Sequence, residues 1–326
     1  MNIKKIILAT ILIGLVGLAY YLFRPLSVVP SPAEFTCLDI KDGTYISKDS
    51  LPTPTNIYGM GLTYSKHLIE TAAEYDPKAL PPIFKKDLKS ITSHQAKIDF
   101  PTRNQLIRNV EQFEKEVGEK LKTDFENLSP MLDYEVEMGM VLLESITPQD
   151  LKNNDFIPQL GFFIANDLSS RSVGLLGEGS PQKYDFWGLS KSFRGFLPMT
   201  DQVWIPNQPT ANSIPCIKIE TYVNGEVRQS QTTDNMIFTP LEMLRFIQQK
   251  YPNVSLNRGD MILTGTPGGV AVATPRHLVR LANLLGFDRY KKLSTKLGGD
   301  LSAFLKVGDV VEIRGEGFEN VSNEIN

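Results

Sequence analysis

The sequence predicts an α+β fold that is rich in β-strands. After about residue 56, short runs of β-branched residues are separated by Gly, Pro and Asp, which is typical of strands joined by turns. Stretches with helical periodicity interrupt the strands only at scattered points, so the two element types do not alternate as in a parallel α/β fold. With 326 residues, 41% of them hydrophobic, the chain can bury the core of one large domain or two small ones.

An apolar segment at the N-terminus predicts a transmembrane helix that anchors the protein in a membrane. Ile6 to Phe23 carries no charge and follows Lys4 and Lys5, and as a helix it approaches the ~30 Å hydrocarbon layer. The two lysines favour a cytoplasmic N-terminus, which would place the rest of the chain outside the cytoplasm, in bacterial terms in the periplasm. Residues 17–19 weakly resemble a signal-peptide cleavage site, but the apolar residues 20–23 suit an uncleaved anchor better.

The chain therefore divides into an anchor at residues 1–25, a proline-rich spacer at 26–55 and a folded domain at 56–326. The spacing of the prolines in the second segment discourages helix and suits an extended chain. Cys37 lies in the spacer and Cys216 in the folded domain. They could pair in an oxidising compartment or remain separate buried thiols, and two cysteines alone do not decide between these alternatives.

Local patterns predict the first elements of the domain in order. A helix is expected at about residues 103–124, and a β-hairpin at 217–229, because Asn224-Gly225 between two β-branched runs is typical of a type I′ turn. Thr239-Pro240-Leu241-Glu242 has the capping residues of a helix start, and the helix should run to about Lys250. The apolar stripe of the first helix consists of Leu106, Val110, Phe113, Val117 and Leu121.

The remaining elements are two strands and a helix between them. The strands, Met261 to Leu263 and Val310 to Glu312, each follow a Gly-Asp turn. Residues 276–293 predict an amphipathic helix with a basic face, which could touch lipid, although a solvated face explains the same charges.

The net charge of −3, with 22% charged residues, excludes nucleic acid as a partner, because its binders concentrate Lys and Arg on one face.

Three acidic residues predict a metal site. In the strand that begins near Asp133, Glu135 and Glu137 share a face, because side chains repeat every second residue. A divalent cation would relieve their repulsion, and an all-oxygen site favours Mg²⁺ or Mn²⁺, with Ca²⁺ possible. A solvated strand face would give the same pattern. Asp167, which closes an apolar strand, is a candidate third ligand, although such residues also cap turns.

Other candidate residues surround this expected site. His67 has a carboxylate partner at helical spacing, Glu70, which could orient the imidazole and raise its basicity toward water. Lys191 could stabilise a developing oxyanion or a substrate carboxylate. A small-residue loop after the strand at 261–263 could hold a carboxylate with its amides and the Thr266 hydroxyl. Each pattern alone is more often an ordinary surface pair, a solvated lysine or a turn.

The order of these segments resembles the fumarylacetoacetate hydrolase family, in its branch of acylpyruvate hydrolases and 2-hydroxyhepta-2,4-diene-1,7-dioate isomerases. Gly61 to His67 with Glu70 is similar to the family's lid motif G-x-N-Y-x-x-H-x-x-E, and Asp133 to Met138 is similar to its metal motif D-Y-E-x-E-L. Ile164 to Arg171 resembles the next element, in which the first Asp is the third metal ligand. The match continues through 191–193, 223–226, 234–238, 259–267 and 305–311.

The resemblance implies a mixed β-roll with a lid helix, usually a homodimer, and a small 2-oxo acid that chelates the metal. It implies Mg²⁺ or Mn²⁺ on the three acids, and His67, Glu70 and Lys191 as base, orienting group and anion stabiliser. Tyr64, Arg171 and Thr266 are the expected substrate-binding residues.

The expected reaction is carbon–carbon bond hydrolysis of a 2,4-dioxo acid through a metal-bound enolate. Decarboxylation, hydration or isomerisation of unsaturated 2-oxo acids is the alternative, because these reactions share the enolate. From another class, a non-catalytic membrane-tethered binding protein on the same fold remains open.

The chain also departs from the family pattern. Thr63 stands where Asn is usual, Ser172 where Asp follows the arginine, and Arg194 where Asp follows Lys-Ser-Phe. These departures leave the substrate undetermined. Two helical insertions, about 101–124 and 275–303, lengthen the domain, and we hypothesise that the first reshapes the mouth of the site or a dimer contact.

Overall fold

The computed structural model describes residues 3–26, 28–71, 73, 75–124, 128–272, 276–286 and 301–326. It confirms the α+β class. The helices, in chain order, are α1 (Ile3–Phe23), α2 (Ser65–Glu70), α3 (Arg103–Phe113), α4 (Lys115–Asp124), α5 (Arg171–Leu176), α6 (Lys183–Ser190), α7 (Pro240–Lys250) and α8 (Arg276–Leu285). The strands are β1 (Thr36–Leu38), β2 (Gly43–Ser47), β3 (Ile57–Met60), β4 (Ile83–Lys86), β5 (Ile91–Ser93), β6 (Leu132–Asp133), β7 (Val136–Leu142), β8 (Leu160–Asn166), β9 (Ser169–Ser170), β10 (Leu197–Met199), β11 (Gln202–Pro206), β12 (Ser213–Pro215), β13 (Lys218–Val223), β14 (Glu226–Thr232), β15 (Met261–Leu263), β16 (Val310–Gly315) and β17 (Val321–Glu324).

The predicted transmembrane anchor is wrong. In the part of the chain that the structure describes, no helix has both the length and the apolar composition that a membrane crossing requires. The end of α1 instead packs on α8, where the Arg280 guanidinium donates to the carbonyls of Tyr21 (3.2 Å) and Arg24 (2.5 Å). The Phe23 and His277 rings stack there, 5.3 Å apart. The apolar composition of this segment does not reveal its contact with α8. The membrane as a partner and the extracytoplasmic location rested on the anchor, so they are withdrawn with it.

The central sheet is built on the pairing of β7 with β8. Its main path runs β2-β11-β8-β7-β15-β3-β4, with β10 and β5 joined beside β8. Both β7 and β8 are buried along their whole length, which explains their nearly continuous apolar sequences. Gly139 is needed in β7 because a Cβ there would lie 2.2 Å from the Phe163 ring across the pair. The register sets Val136 opposite Asn166, so the two strand ends that carry the predicted acids meet.

A second sheet, ordered β14-β13-β16-β17, packs against the first. At Gly315 of β16 a Cβ would lie 2.6 Å from Ile164 of β8, which shows how closely the sheets approach. The predicted hairpin is confirmed: Asn224 and Gly225 both have positive φ, 52° and 82°, as a type I′ turn requires. Apolar side chains from both sheets form one continuous core.

Residues 36–47, predicted as part of an extended spacer, pair with the domain. β1 runs parallel to β12, and β2 runs antiparallel to β11 at the edge of the central sheet. Cys37 and Cys216 form a disulfide, so the alternative of two separate thiols is resolved in favour of pairing.

The helix predicted at 103–124 forms as two helices, α3 and α4. Glu114 between them is extended, with φ −138° and ψ 96°, and α4 folds back so closely that a Cβ on Gly118 would lie 2.5 Å from Glu111 Cα. Apolar residues of this insertion pack on Val173 of α5 and Phe186 of α6. Whether it also shapes the mouth of the site or a dimer contact stays a prediction.

The remaining helix predictions have mixed outcomes. Thr239 and Glu242 form a capping box at the start of α7, which ends at Lys250 as expected. The helix predicted at 276–293 is observed to Leu285, and residues 287–293 lie outside the described part of the chain.

Candidate metal centre and lid

The adjoining ends of β7 and β8 bring the three predicted acids together. Carboxylate oxygens of Glu135, Glu137 and Asp167 all lie within 4.8 Å of one another, and all three side chains are buried. Glu135 precedes β7, and Asp167 follows β8 directly. The Asp167 amide donates to the Glu135 carbonyl at 2.9 Å, and the Glu135 amide donates to the Asn166 side chain at 3.0 Å. The backbone therefore fixes the relative position of two carboxylates.

Lys191 lies between two of these carboxylates. Lys191 is the C-cap residue that follows α6, and it extends its ammonium to Glu135 Oε2 (2.7 Å) and Asp167 Oδ2 (2.8 Å). Burial alone would lower the pKa of Lys191, but the charges of Asp167 and Glu135 outweigh burial and raise it. Lys191 is thus a protonated ammonium at neutral pH, at the centre of the acidic cluster.

Two further cations surround the cluster. Lys86, at the end of β4, is buried and pairs with Asp167 Oδ1, and it donates to the Phe196 carbonyl at 2.7 Å. Arg171 pairs with Glu135 and with Asp133 Oδ2, the latter at 2.7 Å. Burial lowers the pKa of Lys86, and the charge of Asp167 opposes this shift. Through these contacts, Lys86 and Arg171 hold the carboxylates of Asp167 and Glu135 in place.

Glu135 and Glu137 have opposite electrostatics although they are two residues apart. Burial would raise the pKa of Glu135, but the charges of Lys191 and Arg171 lower it to about 2. Burial, followed by the charges of Asp167 and Glu135, raises the pKa of Glu137 well above its ordinary value. Glu137 accepts a hydrogen bond from the Gly265 amide at 2.8 Å. The negative potential is therefore greatest at Glu137. A cation bound there would offset this potential and lower the pKa of Glu137.

The cluster fits a hard divalent cation. Its donors are three carboxylates without sulfur or imidazole, the set that suits Mg²⁺ and Mn²⁺. Three nearby buried polar atoms have no hydrogen-bond partner among the residues that the structure describes: Tyr64 Oη, His67 Nδ1 and Asn166 Nδ2. Such orphaned groups around a buried acidic cluster are expected where an ion and its ligand complete the site.

α2 carries the predicted catalytic pair, and we call it the lid helix. His67 Nδ1 lies 3.6 Å from Glu70 Oε2, which is too long for a hydrogen bond. Both Glu70 oxygens instead accept from the Gly269 amide, at 3.1 and 2.9 Å. The lid helix is thereby tied to the small-residue loop at 264–272.

The predicted substrate-binding residues lie around the same centre. Tyr64 precedes the lid helix and is fully buried, and burial and the charge of Glu137 raise the pKa of its phenol. The Thr266 hydroxyl donates to the Val136 carbonyl at 3.0 Å and accepts from Gln229 at 2.8 Å, so its hydrogen is already used within the protein. Arg171 is likewise engaged by Asp133 and Glu135.

Sequence reasoning missed three residues of the site. Lys86 follows Lys85 in the short strand β4. Because neighbouring side chains of a strand point to opposite faces, an exposed Lys85 indicates that Lys86 faces the core, and this was the one sequence signal for its role. The buried Gln229 side chain accepts from the Val136 amide of β7 and donates to Thr266 and Pro267 of the loop at 264–272. Asp133, noted only within its motif, accepts from the amides of 271 and 272 and from Arg171.

The structure explains two of the departures from the family pattern. The Thr63 hydroxyl donates to the Thr264 carbonyl at 2.6 Å, so it joins the lid to the loop. Ser172 is buried and lies 3.2 Å from the Pro130 carbonyl, where it supports the chain next to Arg171. Arg194 is exposed, and nothing in the structure explains its identity.

The fold and the centre together define a class of protein: an α+β domain in which three buried carboxylates meet beside a short helix that carries a histidine. The fumarylacetoacetate (FAA) hydrolase C-terminal family matches residues 56–326. The chain therefore belongs to the fumarylacetoacetate hydrolase family, which confirms the resemblance seen in its motifs. Members of this family are enzymes, and the family generally uses divalent metal ions.

Similar proteins of known sequence include two oxaloacetate tautomerases. YisK of Bacillus subtilis is 27% identical over 255 residues, which cover 76% of this chain and 71% of that protein. The human mitochondrial FAHD2A is 28% identical over 223 residues, which cover 67% and 58%. An uncharacterized protein of Methanocaldococcus jannaschii is 30% identical over 220 residues, which cover 67% and 73%.

Solved structures share the fold. A fumarylpyruvate hydrolase of Pseudomonas aeruginosa in complex with Mn²⁺ and pyruvate matches with a TM-score of 0.53 and 16% identity, over 84% of this chain and 90% of that one. A probable 2-hydroxyhepta-2,4-diene-1,7-dioate isomerase of Mycobacterium abscessus matches with a TM-score of 0.53 and 21% identity, over 84% and 76%. The family fold thus extends across hydrolases and isomerases.

Proposed function

We propose that this chain is a divalent-metal-dependent enzyme that interconverts the keto and enol forms of a small 2-oxo acid. The observation that carries the proposal is the buried cluster of Glu135, Glu137 and Asp167, with Lys191 between two of its carboxylates. A buried group of like charges is costly, and a cation is the ordinary reason for one. Glu135, Glu137 and Asp167 would hold Mg²⁺ or Mn²⁺.

The chemistry follows from charge. A bound divalent cation polarises the 2-oxo group and stabilises the negative charge of an enolate. Lys191 contributes a second buried positive charge beside the same carboxylates, and Arg171 and Lys86 keep those carboxylates in position. The charge of the enolate would therefore develop where the protein already concentrates cations.

His67 is the proposed proton-transfer group. Its side chain is buried, and its Nδ1 has no hydrogen-bond partner among the described residues. One imidazole nitrogen is thus available to take a proton from carbon 3 of the substrate and return it to oxygen. Tyr64, whose buried phenol stays neutral, would donate a hydrogen bond to the substrate.

Keto–enol interconversion is preferred over hydrolysis because of Glu70. Activation of water would use His67 and Glu70 as a hydrogen-bonded pair, but the Gly269 amide holds both Glu70 oxygens and leaves the pair 3.6 Å apart. Proton transfer by His67 alone needs no such pair. Two relatives of this chain are named oxaloacetate tautomerases, which supports the same choice.

Hydrolysis of the carbon–carbon bond of an acylpyruvate is the second candidate. It is favoured by the placement of His67 and Glu70 three residues apart on one helix face. A small rotation of the Glu70 side chain would bring the two groups from 3.6 Å to hydrogen-bond distance. The two candidates differ in product, because only hydrolysis yields two acids.

The test follows the enol of oxaloacetate by absorbance and the products of an acylpyruvate panel by chromatography, with Mg²⁺ or Mn²⁺. Glu137→Gln should lower the metal-dependent rate by about 10²-fold or more, whereas Glu144→Gln, at an exposed glutamate just after β7, should not change it. Equal rates in wild type and Glu137→Gln would refute the centre. Ion binding without turnover of any substrate would favour a non-catalytic ligand-binding protein on this fold.

A further inference from the structure

A segment that precedes the family domain lies against the lid. Residues 28–38, which we call the strap, come before the matched family region at 56–326. The Ser65 hydroxyl at the start of the lid helix donates to the Pro30 carbonyl at 2.5 Å, and the Ala33 amide donates to the Met236 carbonyl at 2.9 Å. The strap therefore contacts the lid helix and the segment beside it.

The far end of the strap is fastened to the domain. Its last three residues form β1, which pairs in parallel with β12, and the Thr36 amide donates to the Asn212 carbonyl at 3.3 Å. Cys37, in the middle of β1, is covalently bonded to Cys216, next to β12. Phe35 and Leu38 pack on the main core.

Both contacts of the strap fall next to proposed catalytic residues. Ser65 follows Tyr64 and precedes His67 by two positions. Met236 forms a β-bridge with Tyr64, and the neighbouring Ile237 amide donates to the Thr63 carbonyl at 2.8 Å. A shift of the strap would therefore move the two segments that hold Tyr64 and His67.

The lid helix has little stability of its own. It spans six residues, and Tyr64 at its N-cap makes no side-chain capping bond. A helix this short does not persist in water without tertiary contacts. The strap at one end and the Gly269 amide at the other supply such contacts.

We propose that the strap is a positioning element for the lid helix, and that the Cys37–Cys216 disulfide keeps it in place. Three residue pairs of strand are a small interface, so without the covalent bond the strap separates more readily and the lid loses one of its supports. The effect on catalysis rests on the proposed function. The effect on lid order does not, and it is measured separately.

The experiment compares the full chain with Cys37→Ala/Cys216→Ala and with Ser65→Ala, which keeps the disulfide. The Leu68 and Thr71 amides form hydrogen bonds of the lid helix, to the carbonyls of Tyr64 and His67. Both variants should speed hydrogen exchange of these two amides by about three- to tenfold. The metal dissociation constant should change less than twofold. kcat/KM should fall with the loss of lid order, mainly through kcat.

The matched control is Ser50→Ala, which removes another hydroxyl-to-carbonyl hydrogen bond, to Ser47 at 2.6 Å, outside the strap and the lid. It should leave lid exchange unchanged. Unchanged lid exchange in both test variants would overturn the proposal, and so would an equal increase in Ser50→Ala. Faster lid exchange in a protein that turns over no substrate would uphold the strap and refute only the proposed function.

Discussion

At the scale of single residues, the centre depends on how charge is distributed among nearly identical groups. Glu135 touches two cations, whereas Glu137 faces two carboxylates and accepts from one amide. Their pKa values therefore move in opposite directions, although both side chains are buried. Environment, and not residue type, decides which acid carries the unrelieved charge.

Glu137 should make the metal-free protein less stable as pH rises. Because its pKa in the folded state is raised above the ordinary value of 4.5, the folded protein binds the proton more tightly than the unfolded chain does. The free energy of unfolding then falls as pH rises from 4.5 toward the raised pKa. We expect Glu137→Gln to be more stable than wild type at pH 7 in a chelator, by urea denaturation, and the gap to close toward pH 4.5. A variant no more stable at pH 7 would contradict this.

Lys86 should be a major contributor to stability. Lys86→Met leaves Asp167 Oδ1 and the Phe196 carbonyl without their donor in a buried site, and breaking a buried pair from one side costs about 3–5 kcal/mol. Lys85→Met is the matched control on the same strand. That exposed lysine donates to Asn56 and lies over the Tyr58 and Tyr251 rings, so its loss should cost about 1–2 kcal/mol. Equal losses in urea denaturation would show that the buried pair has no special role.

At the scale of elements, the lid helix and the loop at 264–272 act through a few tight contacts. Thr63 lies just before the lid helix and Glu70 is its last residue. Both side chains form hydrogen bonds to this loop. Gly269 has φ 103°, and a Cβ there would lie 2.3 Å from the Arg228 carbonyl. The amide that holds Glu70 is therefore available only because residue 269 is glycine.

Gly269→Ala should displace this amide and free Glu70 from the loop. We expect a loss of kcat/KM of about tenfold or more, since small displacements of positioning groups carry costs of that order, with an unchanged metal dissociation constant. Gly225→Ala is the control: φ is also positive, 82°, but apart from its two chain neighbours no described residue has an atom within 4 Å of the added Cβ. Equal kinetic effects in both variants would assign the loss to backbone strain alone.

At the scale of the whole molecule, the cation should be part of the fold's stability. An ion that binds only the folded state adds about 2.7 kcal/mol at a concentration of 100 times its dissociation constant. Mn²⁺ or Mg²⁺ should therefore raise the melting temperature of wild type, and calorimetry should show a much smaller increase for Glu137→Gln. A similar increase in both proteins would place the ion elsewhere.

Much of the fold could be predicted from local patterns. The hairpin at Asn224-Gly225 and the capping box of Thr239 and Glu242 depend on a few neighbouring residues, and both formed as expected. The helix at 103–124 was predicted without its break, because Glu114 has ordinary helix propensity and the break comes from packing α4 back on α3.

The site was only partly predictable, for a related reason. The two acids of the E-x-E pattern and the acid at the end of β8 have a sequence signature, whereas Lys86 reaches Asp167 across 81 positions and Gly269 reaches Glu70 across 199. Contacts between distant residues leave no periodic trace in one sequence. The prediction of a transmembrane anchor was wrong for the same reason. The hydropathy of the N-terminal segment does not reveal that Arg280 binds the end of this segment.

By itself, then, the sequence determined the α+β class, the family, the principal turns and caps, and the identity of the three clustered acids. Only the tertiary structure decided which lysines pair with Glu135 and Asp167, that Glu70 binds the Gly269 amide and not His67, and that residues 28–38 lie on the lid. The physical reason is range. Backbone preference and side-chain periodicity act within a few residues, whereas charge pairing and packing depend on which distant segments the fold brings within contact.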